Sequence, residues 1–92
     1  MPRRQPVEIL DKPKPKYTET ARKAKIEGAV YLEVIFGADG KVKVLRVIRG
    51  LGYGLDESAI EAAGQIRFTA ARLDGTAVDQ TATVQVDFQM SQ

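Results

Sequence analysis

The sequence contains no cysteine and no histidine among its 92 residues. These absences exclude disulfides, thiol nucleophiles, imidazole bases and the commonest ligands of transition metals. Tryptophan is absent too, so three tyrosines and three phenylalanines supply all the aromatic rings. The apolar runs are short and are interrupted by charges such as Glu33 and Arg46, so we expect no membrane-spanning segment in this chain. Because no apolar stretch follows Met1–Pro6, we also expect no signal peptide.

The residues that remain do not assemble a catalytic motif. Serine and threonine hydroxyls have no histidine partner, and the pattern Ser-x-x-Lys does not occur. The glycines at positions 50, 52 and 54 match neither the dinucleotide fingerprint nor the Walker A pattern. Asp56, Glu57 and Glu61 suit the solvated first turns of a helix, where carboxylates complement the helix dipole. We therefore expect neither an enzyme nor a resident metal ion or cofactor.

Charge and proline divide the chain into two parts. Residues 1–25 carry eight Lys/Arg and three Asp/Glu, whereas residues 26–92 carry six and nine, so the leading segment is basic. All four prolines lie in the first 15 residues, which is typical of a linker. We predict a Pro/Lys-rich linker end over residues 1–16 and one folded domain over 17–92. The folded part offers no basic face with aromatic stacking residues, so we expect no nucleic-acid partner.

The stretch from Glu27 to Gly50 predicts a β-hairpin. Asp39-Gly40 flanked by alternating apolar residues is a strong hairpin signal and indicates a two-residue type I′ turn. The cross-strand pairs that follow are Val34–Leu45, Leu32–Val47, Glu33–Arg46, Ile35–Val44 and Tyr31–Ile48. One face is then apolar, and the other combines a charge pair with an apolar patch. The members of this patch are Tyr31, Ile35, Val44 and Ile48.

Two helices flank the predicted hairpin. The first spans Tyr17–Lys25, with Thr18 as its N-cap. The second runs from Leu55 to about Arg67, because apolar residues recur along one side of it. These residues are Leu55, Ala59, Ala62, Ala63 and Ile66. Gly64 costs this helix about 1 kcal/mol relative to alanine and therefore predicts a close packing contact.

The last strand, from about Val78 to Met90, alternates between two faces. Its apolar residues share one face: Ala82, Val84, Val86, Phe88 and Met90. Its polar residues share the other: Thr81, Thr83, Gln85, Asp87 and Gln89. This alternation is typical of a half-buried antiparallel strand.

These elements predict the topology α-β-β-α-β. The fold class is α+β: a two-layer sandwich in which a three-stranded antiparallel sheet of order 2-1-3 carries both helices on one face. Phe68–Leu73 is expected to be extended and to lead into a second turn at Asp74-Gly75. Val7–Leu10 either adds a short N-terminal strand or lies across exposed apolar surface.

The last strand is predicted to be a sheet edge with weak protection. It has no proline, and Asp87 is the one charge in its regular part, whereas unused edges are normally blocked. We therefore predict β-strand addition, in which a partner segment pairs with the edge backbone. The predicted partner-binding residues are Thr81, Ala82, Thr83, Val84, Gln85, Val86 and Asp87. Additional contacts are predicted at Tyr17, Tyr31 and Ile48.

Three segments follow each other in a known order and spacing. They are KPKYTETARKAKIEGAVYLEVIFGADGKV, VIRGLGYGLDESAIEAAGQIRF and LDGTAVDQTATVQVDF, which together cover about residues 13–88. This pattern resembles the C-terminal domain of the TonB energy-transducer family. The chain has Thr18 and Lys25 where that family usually has proline and glycine. It also has Ile66 where an aromatic residue is common, and no proline after Arg67-Phe68.

The resemblance implies a periplasmic domain, joined by a Pro-rich linker to an inner-membrane helix that works with motor proteins driven by protons. The implied anchor helix would precede the residues of this chain. In that family the domain grips the TonB box, a short extended peptide of an outer-membrane transporter, by strand addition beside the last strand. The implied function is a binding and force-transmitting module that couples proton motive force to transport.

A second hypothesis from the residues is a self-association or protein-interaction domain of another bacterial envelope protein. The apolar patch and the free strand edges would then pair two copies into a homodimer.

Overall fold

The computed structural model of the protein describes residues 3–90. In chain order the elements are β1 (Arg4–Gln5), β2 (Glu8–Asp11), α1 (Glu19–Lys23), β3 (Gly28–Phe36), β4 (Val42–Arg49), α2 (Leu55–Gly64), β5 (Arg67–Thr69), β6 (Ala71–Leu73), β7 (Thr76–Val78) and β8 (Gln80–Phe88). The fold is α+β, with residues of both helices packed on the core-facing side of an antiparallel sheet. The predicted fold class is confirmed.

The central sheet has the strand order β4-β3-β8, with β3 in the middle as predicted. β3 pairs with β8 over all nine residues, from Gly28–Phe88 to Phe36–Gln80, without a bulge. β3 also pairs with β4 on its other side, so its backbone N–H and C=O groups are used in both directions. The outer sides of β4 and β8 are therefore the two edges of this sheet.

The hairpin between β3 and β4 closes through a longer turn than the sequence predicted. The Gly37 N–H donates to the Lys41 carbonyl at 2.9 Å, and the Gly40 N–H donates to the Gly37 carbonyl at 3.0 Å. Gly40 has a φ of 87°, while Asp39 keeps a negative φ. This geometry is a type I turn followed by one left-handed residue, because a type I′ turn needs positive φ at both central positions. The predicted type I′ turn at Asp39-Gly40 is therefore wrong.

The predicted register of this hairpin agrees with the structure near its middle and differs from it elsewhere. The predicted pairs Leu32–Val47 and Glu33–Arg46 are confirmed, and Arg46 Nε lies 3.3 Å from Glu33 Oε1. The longer turn and two irregularities in β4 change the remaining pairs. The observed partners are Val34–Val44, Ile35–Lys43 and Tyr31–Arg49.

The core lies between the sheet and the helices. Its buried residues come from α1, from α2 and the connection that follows it, from alternate positions of β3 beginning at Val30, and from inward positions of β8. They are Ala21, Val30, Leu32, Val34, Phe36, Leu55, Ala59, Ala63, Ile66, Val84, Val86 and Phe88. Burying one large aliphatic or aromatic side chain stabilises the fold by about 1.5–3 kcal/mol. The predicted apolar stripe of α2 is buried, so its interpretation as a core face is confirmed.

Two small sheets join the N-terminal segment to the part of the chain after α2. β2 pairs with β5, and β1 pairs with β6, which forms a hairpin with β7. Of the two alternatives for Val7–Leu10, the structure shows the added strand. The β6–β7 turn places Asp74 and Gly75 at φ values of 51° and 83°, between the pair Leu73–Thr76. The type I′ Asp-Gly turn of this protein is therefore here.

α2 is shorter than predicted and ends at Gly64. A Cβ added at Gly64 would meet no atom within 4 Å, and the residue is exposed. The predicted close packing contact is therefore wrong. Gly64 is the last residue of α2, and Gln65 is its C-cap.

The end of α1 places a lysine in a backbone conformation that favours glycine. The Ile26 N–H donates to the Ala21 carbonyl at 3.0 Å, and the Lys25 N–H donates to the Arg22 carbonyl at 3.1 Å. These two bonds define a Schellman motif, whose C′ residue is left-handed. Lys25 occupies that position with a φ of 56°. A side chain there costs about 1 kcal/mol relative to glycine.

We predict that Lys25→Gly stabilises the domain by about 0.5–1 kcal/mol, because glycine adopts the left-handed conformation without a Cβ clash. Urea unfolding followed by circular dichroism measures the free energy of unfolding. Lys23→Gly is the matched control: it removes the same side chain inside α1 and should destabilise by about 0.5–1 kcal/mol. Equal destabilisation by both substitutions would contradict this account of Lys25.

Candidate partner-binding edge

The two edges of the central sheet differ in how strongly they are protected. β4 carries Lys43, Arg46 and Arg49, and its register shifts twice along its length. Charged side chains and bulges are the devices with which proteins block edge pairing. β8 is regular over nine residues and has Asp87 as its one charge. β8 is therefore the less protected of the two edges.

Every second residue of β8 presents its backbone to the free side. The ammonium group of Lys12, which lies outside the central sheet, donates to the Gln85 carbonyl at 2.5 Å. In an antiparallel strand the N–H and C=O of one residue point to the same side, so both groups of Gln85 point away from β3. The same geometry applies to Thr81, Thr83 and Asp87. Within residues 3–90, no strand pairs with this outer side.

A groove of about 300 Å³ runs beside this edge on the core-facing side of β8. Its lining comes from β2 and the residues on either side of it, the end of β3, Ile66 between α2 and β5, and β8. The lining residues are Val7, Ile9, Lys12, Phe36, Ile66, Ala82, Thr83, Val84 and Gln85. A strand added to β8 would place alternate side chains toward this groove, because side chains of a strand alternate between its faces.

A second groove of about 510 Å³ lies at the C-terminal end of β8. It is lined by Lys14, Pro15, Tyr17, Asp87, Phe88, Gln89 and Met90. The Tyr17 hydroxyl donates to the Ile26 carbonyl, and its ring packs edge-on against Phe88 with centroids 5.7 Å apart. Desolvation raises the pKa of the Tyr17 phenol above its ordinary value, and the Glu27 carboxylate adds to this effect while Arg22 opposes it.

The predicted additional contacts occupy three different places. Tyr17 lies at the end of the β8 edge, as described above. Tyr31 is half-buried on β3, directly opposite Gln85, and so lies one strand away from the edge. Ile48 lies on β4 at the far edge, with 43% of its surface exposed. The structure therefore brings Tyr17 and Tyr31 near β8 and separates Ile48 from it.

The apolar patch predicted on the open face is smaller than expected. Val44 pairs with Val34 and packs against the core, so its assignment to the open face is wrong. The cause is the register shift beside Leu45, which turns Val44 inward and leaves Leu45 44% exposed. Tyr31 and Ile35 remain half-buried on the open face.

Asp56 has a structural role that the sequence did not reveal. Its carboxylate accepts hydrogen bonds from the backbone N–H groups of Leu51 at 2.9 Å and Gly52 at 3.4 Å. A Cβ on Gly50 would lie 2.4 Å from Asp56 Oδ2, so glycine is required for this approach. Asp56 therefore fixes the connection between β4 and α2 and is not the freely solvated carboxylate we expected.

The described residues 3–90 hold no group of three acidic, histidine or cysteine side chains arranged for a metal ion. Across the same residues, no helix combines the length and the apolar character needed to cross a membrane.

Comparison with known proteins identifies the family. A family model described as Gram-negative bacterial TonB protein C-terminal matches residues 13–90. The chain belongs to the TonB C-terminal family. It is also 33% identical over 94 aligned positions to Protein TonB of Vibrio cholerae serotype O1 (strain ATCC 39315 / El Tor Inaba N16961), covering 94% of this chain and 38% of that protein. This family is the periplasmic, non-enzymatic C-terminal domain of TonB-type energy transducers.

The fold is similar to that of a solved TonB domain. The solution NMR structure of the Pseudomonas aeruginosa TonB CTD matches with a TM-score of 0.64 and 24% identity, covering 94% of this chain and 88% of that chain. The chain spans only 38% of the length of the curated relative, so the match concerns the C-terminal domain alone.

The departure from the TonB pattern at Thr18 has a defined role in this structure. The Thr18 hydroxyl accepts from the Ala21 N–H at 3.2 Å as the N-cap of α1, which confirms the predicted cap. The same hydroxyl donates to the Tyr53 carbonyl at 2.6 Å. One side chain therefore caps α1 and ties it to the connection that precedes α2.

The contact at the candidate edge that the sequence missed is the one made by Lys12. Its contact joins two positions 73 residues apart, and the lysine lies in a segment predicted to be linker. The sequence places Lys12 among alternating lysines and prolines next to Val7–Leu10. It does not indicate the direction in which this segment runs or its distance from β8.

We predict that amide hydrogen exchange alternates along β8. The N–H groups of Thr83 and Gln85 face outward and should exchange rapidly, whereas those of Val84 and Val86 bond to β3 and should exchange about 100-fold or more slowly. Exchange into D₂O followed by ¹⁵N NMR measures each amide. Uniform protection of all four amides would show that the outer side of β8 is already paired.

Proposed function

We propose that this chain is the binding and force-transmitting module of a TonB-type energy transducer. In this proposal the backbone of Thr81 to Asp87 engages the TonB box of an outer-membrane transporter by β-strand addition. Residues 1–16 form the end of a linker that leads toward an inner-membrane anchor and its proton-driven motor proteins, and the strands β1 and β2 attach this linker end to the domain. The domain then transmits inner-membrane proton motive force to the transporter.

One observation carries the proposal: β8 is a regular nine-residue edge whose outer backbone groups are free of any strand, beside a protected β4. Each outward residue offers one donor and one acceptor, and each backbone bond contributes about 0.5–1.5 kcal/mol net. The grooves beside the middle of β8 and at its C-terminal end can receive alternate side chains of the added segment, which supplies selectivity. Family membership supports a partner of the transporter class.

Strand addition also suits the transmission of force. Several parallel hydrogen bonds between two aligned strands share a load applied along the strand direction. On the other side, β8 is bonded to β3 along its whole length, and its inward side chains are buried in the core. A pull on the added strand would therefore be carried into the rigid part of the domain.

The first test is titration of ¹⁵N-labelled domain with a peptide containing a TonB box. The proposal predicts amide shifts that cluster on β8 and its flanking grooves. Shifts confined to β4 and the open face, or no binding at millimolar peptide, would contradict it. Sedimentation over a concentration series distinguishes the alternative hypothesis, because a strictly monomeric domain rules out self-association.

We predict that Gln85→Pro weakens peptide binding about tenfold, because it removes one outward N–H donor from the edge. Proline is tolerated at an edge position whose N–H points to solvent, so the domain should remain folded. Gln85→Ala keeps the backbone donor and is the matched control, which should bind within about twofold of the parent domain. The measurement is calorimetric titration together with thermal unfolding of each variant. Equal affinities for the proline and alanine variants would place the partner elsewhere.

A further inference from the structure

The N-terminal segment runs alongside the free edge of β8. Four contacts follow one another along β8. The Arg4 guanidinium donates to the Gln80 side chain, and Val7 and Ile9 face Ala82 to Val84 across the first groove. Lys12 donates to the Gln85 carbonyl, and Lys14 and Pro15 line the second groove with Asp87 to Met90. The N-terminal segment and β8 therefore run parallel to each other. β1 and β2 hold the segment in place by pairing with β6 and β5.

Within residues 3–90, this segment flanks β8 without forming a strand ladder with it. The direct bond to the outward backbone comes from the Lys12 ammonium group, which occupies the Gln85 carbonyl. A second outward carbonyl, that of Thr81, accepts from the Gln80 side-chain amide at 3.0 Å, and Gln80 is the residue that Arg4 contacts. Two acceptors that an added strand would need are thus already occupied by side chains.

We propose that the segment from Arg4 to Pro15 is a displaceable cover of the partner-binding edge, with Lys12 as its polar latch. This inference rests on the proposed use of the β8 edge. A partner strand must take the Gln85 carbonyl from Lys12 before it can form the backbone bond at that position. The cover lowers the affinity for any extended segment and blocks edge-to-edge pairing between copies of the domain, since a lysine on an edge is a common protective device.

The latch is weak enough to be released. Lys12 is exposed, so its bond to the carbonyl competes with water and stabilises the covered state only modestly. The remainder of the segment is held by the short strands β1 and β2, of two and four residues, and the side chains of Ile9 and Leu10 in β2 are 45% and 58% exposed. The cover can therefore loosen at Lys12 without unfolding the core.

The test compares Lys12→Met with Lys16→Met. Methionine keeps the apolar stem and removes the ammonium group. Lys16 directly follows the last residue of the cover and lines a depression beside α2. The proposal predicts that Lys12→Met binds the TonB-box peptide about fivefold more tightly than the parent, because one competing hydrogen bond is lost. Lys16→Met should bind within about twofold of the parent. Affinities are measured at domain concentrations at which sedimentation shows a monomer.

A readout without partner keeps this test separate from the proposed function. In the free domain, Lys12→Met should shift the ¹³C resonance of the Gln85 carbonyl, and Lys16→Met should leave it unchanged. If Lys12→Met shifts the Gln85 carbonyl resonance while no variant binds peptide, the Lys12 contact is confirmed and the proposed function is wrong. If peptide binds β8 but Lys12→Met binds equally or more weakly than the parent, the cover is overturned and Lys12 is a partner contact or a bystander.

Discussion

The ladder between β3 and β8 is the interaction on which the rest of the structure depends. It runs over nine residues without irregularity, and its register determines which backbone groups of β8 bond to β3 and which point outward. Its inward residues, including Val84, Val86 and Phe88, are buried against the helices, and this burial prevents the strand from rotating or slipping. Because β8 is pinned in this way, its outward backbone groups form a row at fixed spacing. A row of that kind is what a second extended segment can recognise.

The two edges of the central sheet are protected in different ways. β4 combines cations with register shifts, and it packs against α2 through its inward valines, so it closes one side of the domain. β8 has neither cations nor register shifts, and the N-terminal segment protects it instead as a displaceable cover. The same chain therefore contains a permanently protected edge and a conditionally protected one. Asp56 and Thr18 contribute indirectly, because they fix the connection before α2 and thereby the helix that supports the core.

The sequence predicted the parts of this fold that depend on local patterns. Period-two alternation located β8 and its two faces, and the apolar stripe located α2. Two Asp-Gly pairs looked alike, yet only the pair at Asp74 forms a type I′ turn, because Gly37 and Lys41 extend the other loop by one residue on closing it. The irregularities in β4 arise from how that strand packs and twists, which local pattern does not encode. The Lys12 contact joins distant parts of the chain, so only the assembled structure reveals it.

The central claim is that an extended segment pairs with the β8 backbone, and an N-methyl scan of the bound peptide tests it most directly. Each N-methyl group removes one peptide donor without changing a side chain. If the peptide adds to β8 as a strand, methylation at every second residue should lower its affinity about tenfold, because those N–H groups face the outward carbonyls. Methylation at the intervening residues should change the affinity much less. An affinity profile without this alternation would contradict strand addition and with it the account of β8 as the site.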